Sequence, residues 1–444
     1  MQMIDRFGSH LTGSDRSAVA HYDRAVWNLM TLSNDPVADA KAALEADPGL
    51  VMGHCLSAAL LLLGTEKALL PAAQKAIGRA RQTGKSATMR EQHHIAALSA
   101  FAGGSFGDAA RHWETLLTDN PEDALAMFCA HQCDFFLGQS SELRDRPARR
   151  LGSLDPAWPG YGFYRGMQAF GLEEMNQYAE AEAAGRHALD LCKRDTWAIH
   201  AVTHVMEMMS RVDEGAEFLR QRSDDWAVDN FFQCHNWWHL SLYMLDRQDF
   251  DGALGLYDEK IKGGESTTML DMIDASALLW RLTLHGADVG GRWTKLAAIW
   301  EPRINDGWYS FNDVHAVMAF AAAGEHRLLA KLLARMERAI AGQGEYAEAT
   351  RLLGLPAAKA MAAHVEGRFG DAVELLLPLR AIAARVGGSN AQRDVLNQTL
   401  IRAAEQAGQK SLAVSLLNER QALKPKSNLT RLWRERALRA YQQQ

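Results

Sequence analysis

Two pairs of histidines stand at the spacing of one helical turn. His200 and His204 are four residues apart in HAVTHVME, with Glu207 one further turn along, and His235 and His239 are four apart in CHNWWHL. Residues three or four apart project from one helix face, so each pair offers two imidazoles to a common point. Two imidazoles one turn apart can share a metal ion, and a carboxylate on the same face can complete or orient the site. His200, His204, His235 and His239 are therefore expected as metal ligands, with Glu207 as a further ligand or a general base. The spacing is that behind HExxH, although that motif itself is absent. Imidazole with carboxylate suits Zn, Fe, Ni or Mn.

Other polar groups recur in similar settings. REQHH holds Glu91 and His94, FNDVHAVMAF holds Asn312, Asp313 and His315, and Trp237 and Trp238 lie between two histidines. Glu91, His94, Asn312 and Trp238 are expected to contact a ligand, and Asp313 and His315 to join Glu207 in catalysis. The chain has 16 histidines in 444 residues, only modestly above the usual share, so placement carries the expectation rather than number. The plain alternatives are a polar lining that binds ligand without metal, or simple hydrogen bonding within a core. Cys129 and Cys133 are also four apart, but read as two small core residues.

Helices must position these groups. Phe106 and Ala109, Tyr178 and Ala181, Phe250 and Ala253, and Phe369 and Ala372 each place an aromatic three residues before an alanine that opens an apolar helical stripe. This is the second half of a tetratricopeptide repeat, whose period is about 34 residues. Registering on the alanines puts first helices near Leu50, Arg90, Asp123, Gly160, Thr196, Asn230, Met269, Ser310, Pro356 and Asn390, with spacings from about 30 to 46 residues. The expectation is an all-α protein with one domain over residues 1–444. About ten degenerate helix pairs form a right-handed superhelix with a concave groove or axial pocket. A helix over 14–31, N-capped by Ser14, opens it, and a basic amphipathic helix over 427–443 caps it. First helices line the inner face, and the histidine pairs fall at inner positions, so His94, His200, His235 and His315 should surround one cavity.

Bulk properties narrow the function. Hydrophobic residues make up 48% and charged residues 23%, the balance of a soluble, well-packed chain. A net charge of -6 supplies no basic field for nucleic acid. The 5 cysteines are odd in number and lack framework spacing, which points to a reducing compartment and a cytoplasmic location. The N-terminus has no apolar signal segment, and the apolar run at 60–63 is far short of the ~20 residues that span a bilayer, so no membrane is expected. GxxxxGK[ST], GxGxxG after a strand and GxSxG are all missing, so nucleotide and serine-hydrolase chemistry lack support.

Seven blocks in order carry a family resemblance: VMGH at 51–54, REQxH at 90–94, HxxxHxxE at 200–207, CHNxWH at 234–239, FNDxH at 311–315, GGSNAQRDV at 387–395 and ALKP at 422–425. Together the chain resembles the tetratricopeptide-repeat protein 38 family over nearly its whole length. The resemblance implies the helix-pair fold and carries over no activity. It adds Asn390, Gln392, Arg393 and Asp394 at the start of the last first helix, with Ser389 as its N-cap. Arg393 and Asp394 join the expected ligand contacts, Arg393 as a fork for a substrate anion.

Two function classes follow. In one, the histidine and carboxylate set binds a divalent metal and acts as a metal-dependent hydrolase or other metalloenzyme on a small polar molecule. In the other, the chain is a repeat scaffold whose groove holds a peptide or protein. Groove positions rich in His, Glu, Asp and Trp, rather than Lys, Arg and Asn, favour the first.

Overall fold

A computed structural model of the chain describes residues 3–84, 87–261 and 263–442. The turn that builds each helix pair follows one recipe. Two residues before each second-helix aromatic, the backbone enters the left-handed region: Gly104 at φ 84°, Asn176 at 61°, Gln248 at 65° and Gly367 at 76°. The next residue then donates its N–H back across the turn, Ser105 to Ala100, Gln177 to Leu172, Asp249 to Met244 and Arg368 to Ala363. This six-to-one bond is the Schellman closure, which satisfies a carbonyl that the helix end leaves open. The second helices begin at the aromatics themselves, and Ala109, Ala181, Ala253 and Ala372 are wholly buried where the two helices meet. A larger side chain there would overpack the contact at a cost of about 1–3 kcal/mol.

The protein is all-α, of tetratricopeptide-like helix pairs. The only paired strands among the described residues are Met3–Ile4 and His10–Leu11, a short antiparallel hairpin. The chain divides into two compact units, Met1–Val202 with Arg222–Gln233, and Thr203–Gln221 with Cys234–Gln444.

In the first unit, Arg16–Thr31 (α1) packs on Pro36–Ala46 (α2), Val51–Leu63 (α3) on Leu70–Thr83 (α4), Met89–Ala102 (α5) on Phe106–Asp119 (α6) and Tyr161–Glu174 (α9) on both Ser140–Leu151 (α8) and Tyr178–Leu191 (α10), with Ala124–Leu137 (α7) between α6 and α8. Thr196–Met208 (α11) begins in this unit, and its residues from Thr203 onward, with Val212–Gln221 (α12), belong to the second. The short Ser223–Trp226 (α13) returns to the first.

In the second unit come Gln233–Asp246 (α14), Phe250–Leu256 (α15), Met269–His285 (α16), Arg292–Trp300 (α17), Ser310–Ala322 (α18), His326–Ala339 (α19), Glu345–Ala349 (α20), Leu355–Val365 (α21), Phe369–Leu376 (α22), Asn390–Gln406 (α23), Lys410–Leu423 (α24) and the capping Asn428–Gln442 (α25). The long interval before α21 arises because α20 and a wide-turn segment, Thr350–Gly354, are inserted after α19.

Most expected helix starts agree with the structure to within a residue, and two differ. The first helix is capped by Asp15, not Ser14, because the Asp15 carboxylate accepts from the N–H groups of Ser17 and Ala18, while Ser14 is turned to Asp47. The helix expected near Asn230 begins at Gln233, since the Asn230 side chain accepts from Phe232 N–H and holds a turn there. Ser389 caps α23 as read, and Gln392 joins it in a reciprocal capping box. Residue 443 of the expected last helix lies outside the described residues. No helix among the described residues is long and apolar enough to cross a membrane.

Candidate metal centre

Helix periodicity and packing bring three of the expected ligands together within the second unit. His204 comes from α11, and His235 and His239 come one turn apart from α14. One ligand nitrogen of each lies within 4.8 Å of those of the others. The His239 ring meets the His204 ring at 4.4 Å between centroids and the His235 ring at 4.8 Å, edge to face in both cases. All three are buried, His204 and His239 completely and His235 to 3% exposure. The cluster is thus core, not the lining of an open groove.

Two carboxylates orient it. Asp274 on α16 faces His235 Nδ1 with both oxygens, at 2.9 and 3.0 Å. Glu207, one turn beyond His204 on α11, faces His239 Nδ1 at 3.1 Å and receives Lys424 Nζ at 3.3 Å on its other oxygen. A carboxylate on Nδ1 makes that nitrogen the proton donor, so ligation falls to Nε2 of both rings. Burial, then the neighbouring His204 and His235, holds the His239 imidazole well below its ordinary pKa, the neutral state a ligand needs. Burial raises the Asp274 carboxyl above its usual value, with His235 pulling the other way. Glu207 is thus engaged by His239 on one oxygen and by Lys424 on the other. Trp238 stacks on His235 at 5.2 Å and 15°, walling the cluster on one side.

The remaining expected residues have the following partners. His200, on the same helix as His204, stacks on Phe170 in the first unit and touches Trp197 and Phe232. Glu91 is a structural clamp in that unit. It closes the α5 capping box with Thr88 and accepts from Thr12 N–H and Oγ1–H at 2.8 and 2.7 Å. His94 accepts from Trp113 Nε1–H at 3.2 Å, which leaves the proton on Nε2 for Asp123 at 3.0 Å. Asp123 also receives Arg90, which reaches Asp5 and the His10 carbonyl.

In the second unit, Asp313 is engaged by Arg335 and by Tyr346 Oη–H at 2.7 Å. His315 donates from Nδ1 to the Phe311 carbonyl at 2.8 Å, and burial lowers its pKa to about 4. Asn312 is buried beside them on α18. Arg393 is spent on the start of its own helix, at the Gly388 carbonyl and Asn390 Oδ1, so it is not a ready fork for an anion. Asp394 is paired with Arg420 and Gln398. Cys129 and Cys133 are buried in α7, and burial pushes the Cys129 thiol up.

Sequence reasoning missed Asp274 and Arg281. The signal was there: α16 reads MLDMIDASALLWRLTLH, an apolar helix with an aspartate and an arginine seven residues, two turns, apart. Both are buried, and a buried charge in an apolar stripe marks a partner across the core.

No protein-family model matches the chain. Among solved structures, the human IFIT1 dimer with m7Gppp-AAAA aligns at 13% identity over 96% of this chain and 95% of that one, with a TM-score of 0.43. The human IFIT1 dimer with PPP-AAAA aligns at 14% identity over 96% and 95%, TM-score 0.44. Yeast Tom70 aligns at 14% identity over 97% and 96%, TM-score 0.29.

Proposed function

We propose that the chain is a helical-repeat scaffold that holds one divalent transition metal on His204, His235 and His239. The observation that carries this is the convergence of three buried imidazoles, two of them held at Nδ1 by carboxylates from other helices. Three imidazoles without a carboxylate in the donor set suit Zn²⁺, Fe²⁺ or Ni²⁺ better than Mn²⁺. A metal there would supply Lewis acidity to a small polar ligand. The chain's own residues would fix ring orientation through Asp274 and Glu207 and keep bulk water out by burial. Asp313, His315, Glu91 and His94 have no part in this reading. A scaffold role toward a peptide or protein partner is compatible with it, since the metal is in the core and leaves the helix-pair surfaces unused.

The test is elemental analysis of protein purified without a polyhistidine tag. About one metal per chain is expected in the wild type and essentially none in His204→Gln, whose volume is close enough to keep the core filled. A wild-type chain that stays metal-free after equilibration with Zn²⁺, Fe²⁺ or Ni²⁺, or a His204→Gln variant that loads equally, would overturn the metal reading.

A further inference from the structure

Beside the histidine cluster, on the far side of Glu207, the second unit contains a polar cavity. Its free space is about 40 Å³, room for about three waters on the scale where one needs roughly 10–15 Å³. Six charged side chains line it, and five are already committed. Arg420 is paired with Asp394. Lys424 is paired with Glu207. Asp246 accepts from Ser427 Oγ–H and from the N–H groups of Asn428 and Leu429, capping α25.

The sixth is Arg281, 1% exposed. Its guanidinium bonds only to backbone carbonyls, of Ala277, Ala391 and Gln392, and pairs with no carboxylate among the described residues. A guanidinium has five N–H donors, so these three bonds do not exhaust it. Burial lowers its pKa to about 10, with the nearby Asp394, Glu207 and Asp274 carboxylates pulling the other way.

A second group points the same way. Gln398 also lines the cavity and is 4% exposed. Its Nε2–H donates to Asp394 at 2.8 Å, while its Oε1 is buried with no hydrogen-bond partner. Leaving such an acceptor unmet costs about 1–3 kcal/mol. The cavity thus offers one guanidinium bonded to no carboxylate and one unmet acceptor.

We propose that this cavity binds a small organic acid that carries a hydrogen-bond donor next to its carboxylate. The carboxylate faces Arg281, and the adjacent hydroxyl or ammonium donates to Gln398 Oε1. The inference does not depend on the metal, although Glu207 touches both places through its two oxygens.

The probe is glycolate, titrated by calorimetry into chelator-treated, metal-free protein, against acetate (no donor), glycolamide (no charge) and chloride (no shape). Saturable glycolate binding is expected, at least tenfold tighter than any of the three. Arg281→Met should abolish it. Gln398→Met should reduce glycolate to the level of acetate. Absent glycolate binding, equal binding of glycolamide or chloride, or an unchanged Gln398→Met would overturn the proposal. Should Arg281→Met fail to fold, the glycolate-to-acetate ratio in Gln398→Met decides alone. His204→Gln separates the two readings, because it should lose metal and keep glycolate.

Discussion

The two units each bury a histidine against carboxylates, and they do so to opposite effect. Around His94 in the first unit the network is closed. Both ring nitrogens are used, by Trp113 and Asp123, and Arg90 balances Asp123 and Asp5. Burial alone would raise the Asp123 carboxyl, but Arg90 and His94 hold it well below the usual range. Asp5, farther from that balance, is pushed up to about 6 by burial despite Arg90. Around His235 and His239 in the second unit, carboxylates take one edge of each ring and the rings turn their other edges toward each other and His204. One arrangement ties an N-terminal hairpin to helix α5. The other collects Lewis bases at one point, which core packing alone does not call for. What the second nitrogen meets, more than burial, distinguishes the two arrangements.

The sharpest way to break this contrast is Asp123→Ala. Removing one partner from a buried ion pair costs about 3–5 kcal/mol, and Arg90 and His94 would both be stranded. Urea unfolding should show that loss with metal content unchanged. Equal loss of metal would mean that the two networks are not distinct in kind.

Asp274→Asn probes the other side. Asparagine keeps the shape and an acceptor for His235 Nδ1–H but removes the charge. Metal affinity should fall 10–100-fold, about 1.4–2.7 kcal/mol, as for other carboxylates behind ligating histidines. Competition with a chromogenic chelator measures this, and an unaltered affinity would make Asp274 a packing residue only.

Acid should separate the units as well. In the second, burial depresses His315 and His364 to about 4 and His285 to about 3, and in the first it depresses His131 to about 3. A histidine depressed on folding binds protons more readily when unfolded, where its pKa is near 6.5. Its contribution is therefore complete above about pH 6.5 and is lost as pH falls toward 3–4, at about 1.4 kcal/mol per pH unit for each ring. Hydrogen exchange on metal-free protein at pH 5 should show protection lost in α16, α18 and α21 before α7. Simultaneous loss would contradict the accounting.

The smallest effect concerns a feature that both units share. Gln248 occupies the left-handed turn position that Gly104 fills in the first unit. Gln248→Gly should stabilise by roughly 0.5–1 kcal/mol, because glycine adopts that conformation without steric cost. Gly104→Ala should destabilise by a similar amount. Thermal melts of the pair measure both signs.

Much of the fold was legible because it is local. The aromatic and alanine at fixed spacing and the Ser389 cap specify turns and helix starts through contacts within a few residues. Misreadings came where a side chain from elsewhere intervened, as with Asp47 taking Ser14 and Asn230 holding its own turn. The site was legible only in part. The i, i+4 spacing identified His200 with His204, and His235 with His239, as sharing helix faces, since a 3.6-residue period makes that a property of the chain. Spacing could not say what faces them across the core. Asp274 is 39 residues from His235 in sequence, and Lys424 is 217 from Glu207. Nor could it separate His94 from His235, both histidines on first helices. Only tertiary packing decided that one ring is closed by an indole and a carboxylate while the other meets two more imidazoles. A hydrogen bond depends on positions a few tenths of an ångström apart, and helical periodicity sets the face of a residue but not its opposite number.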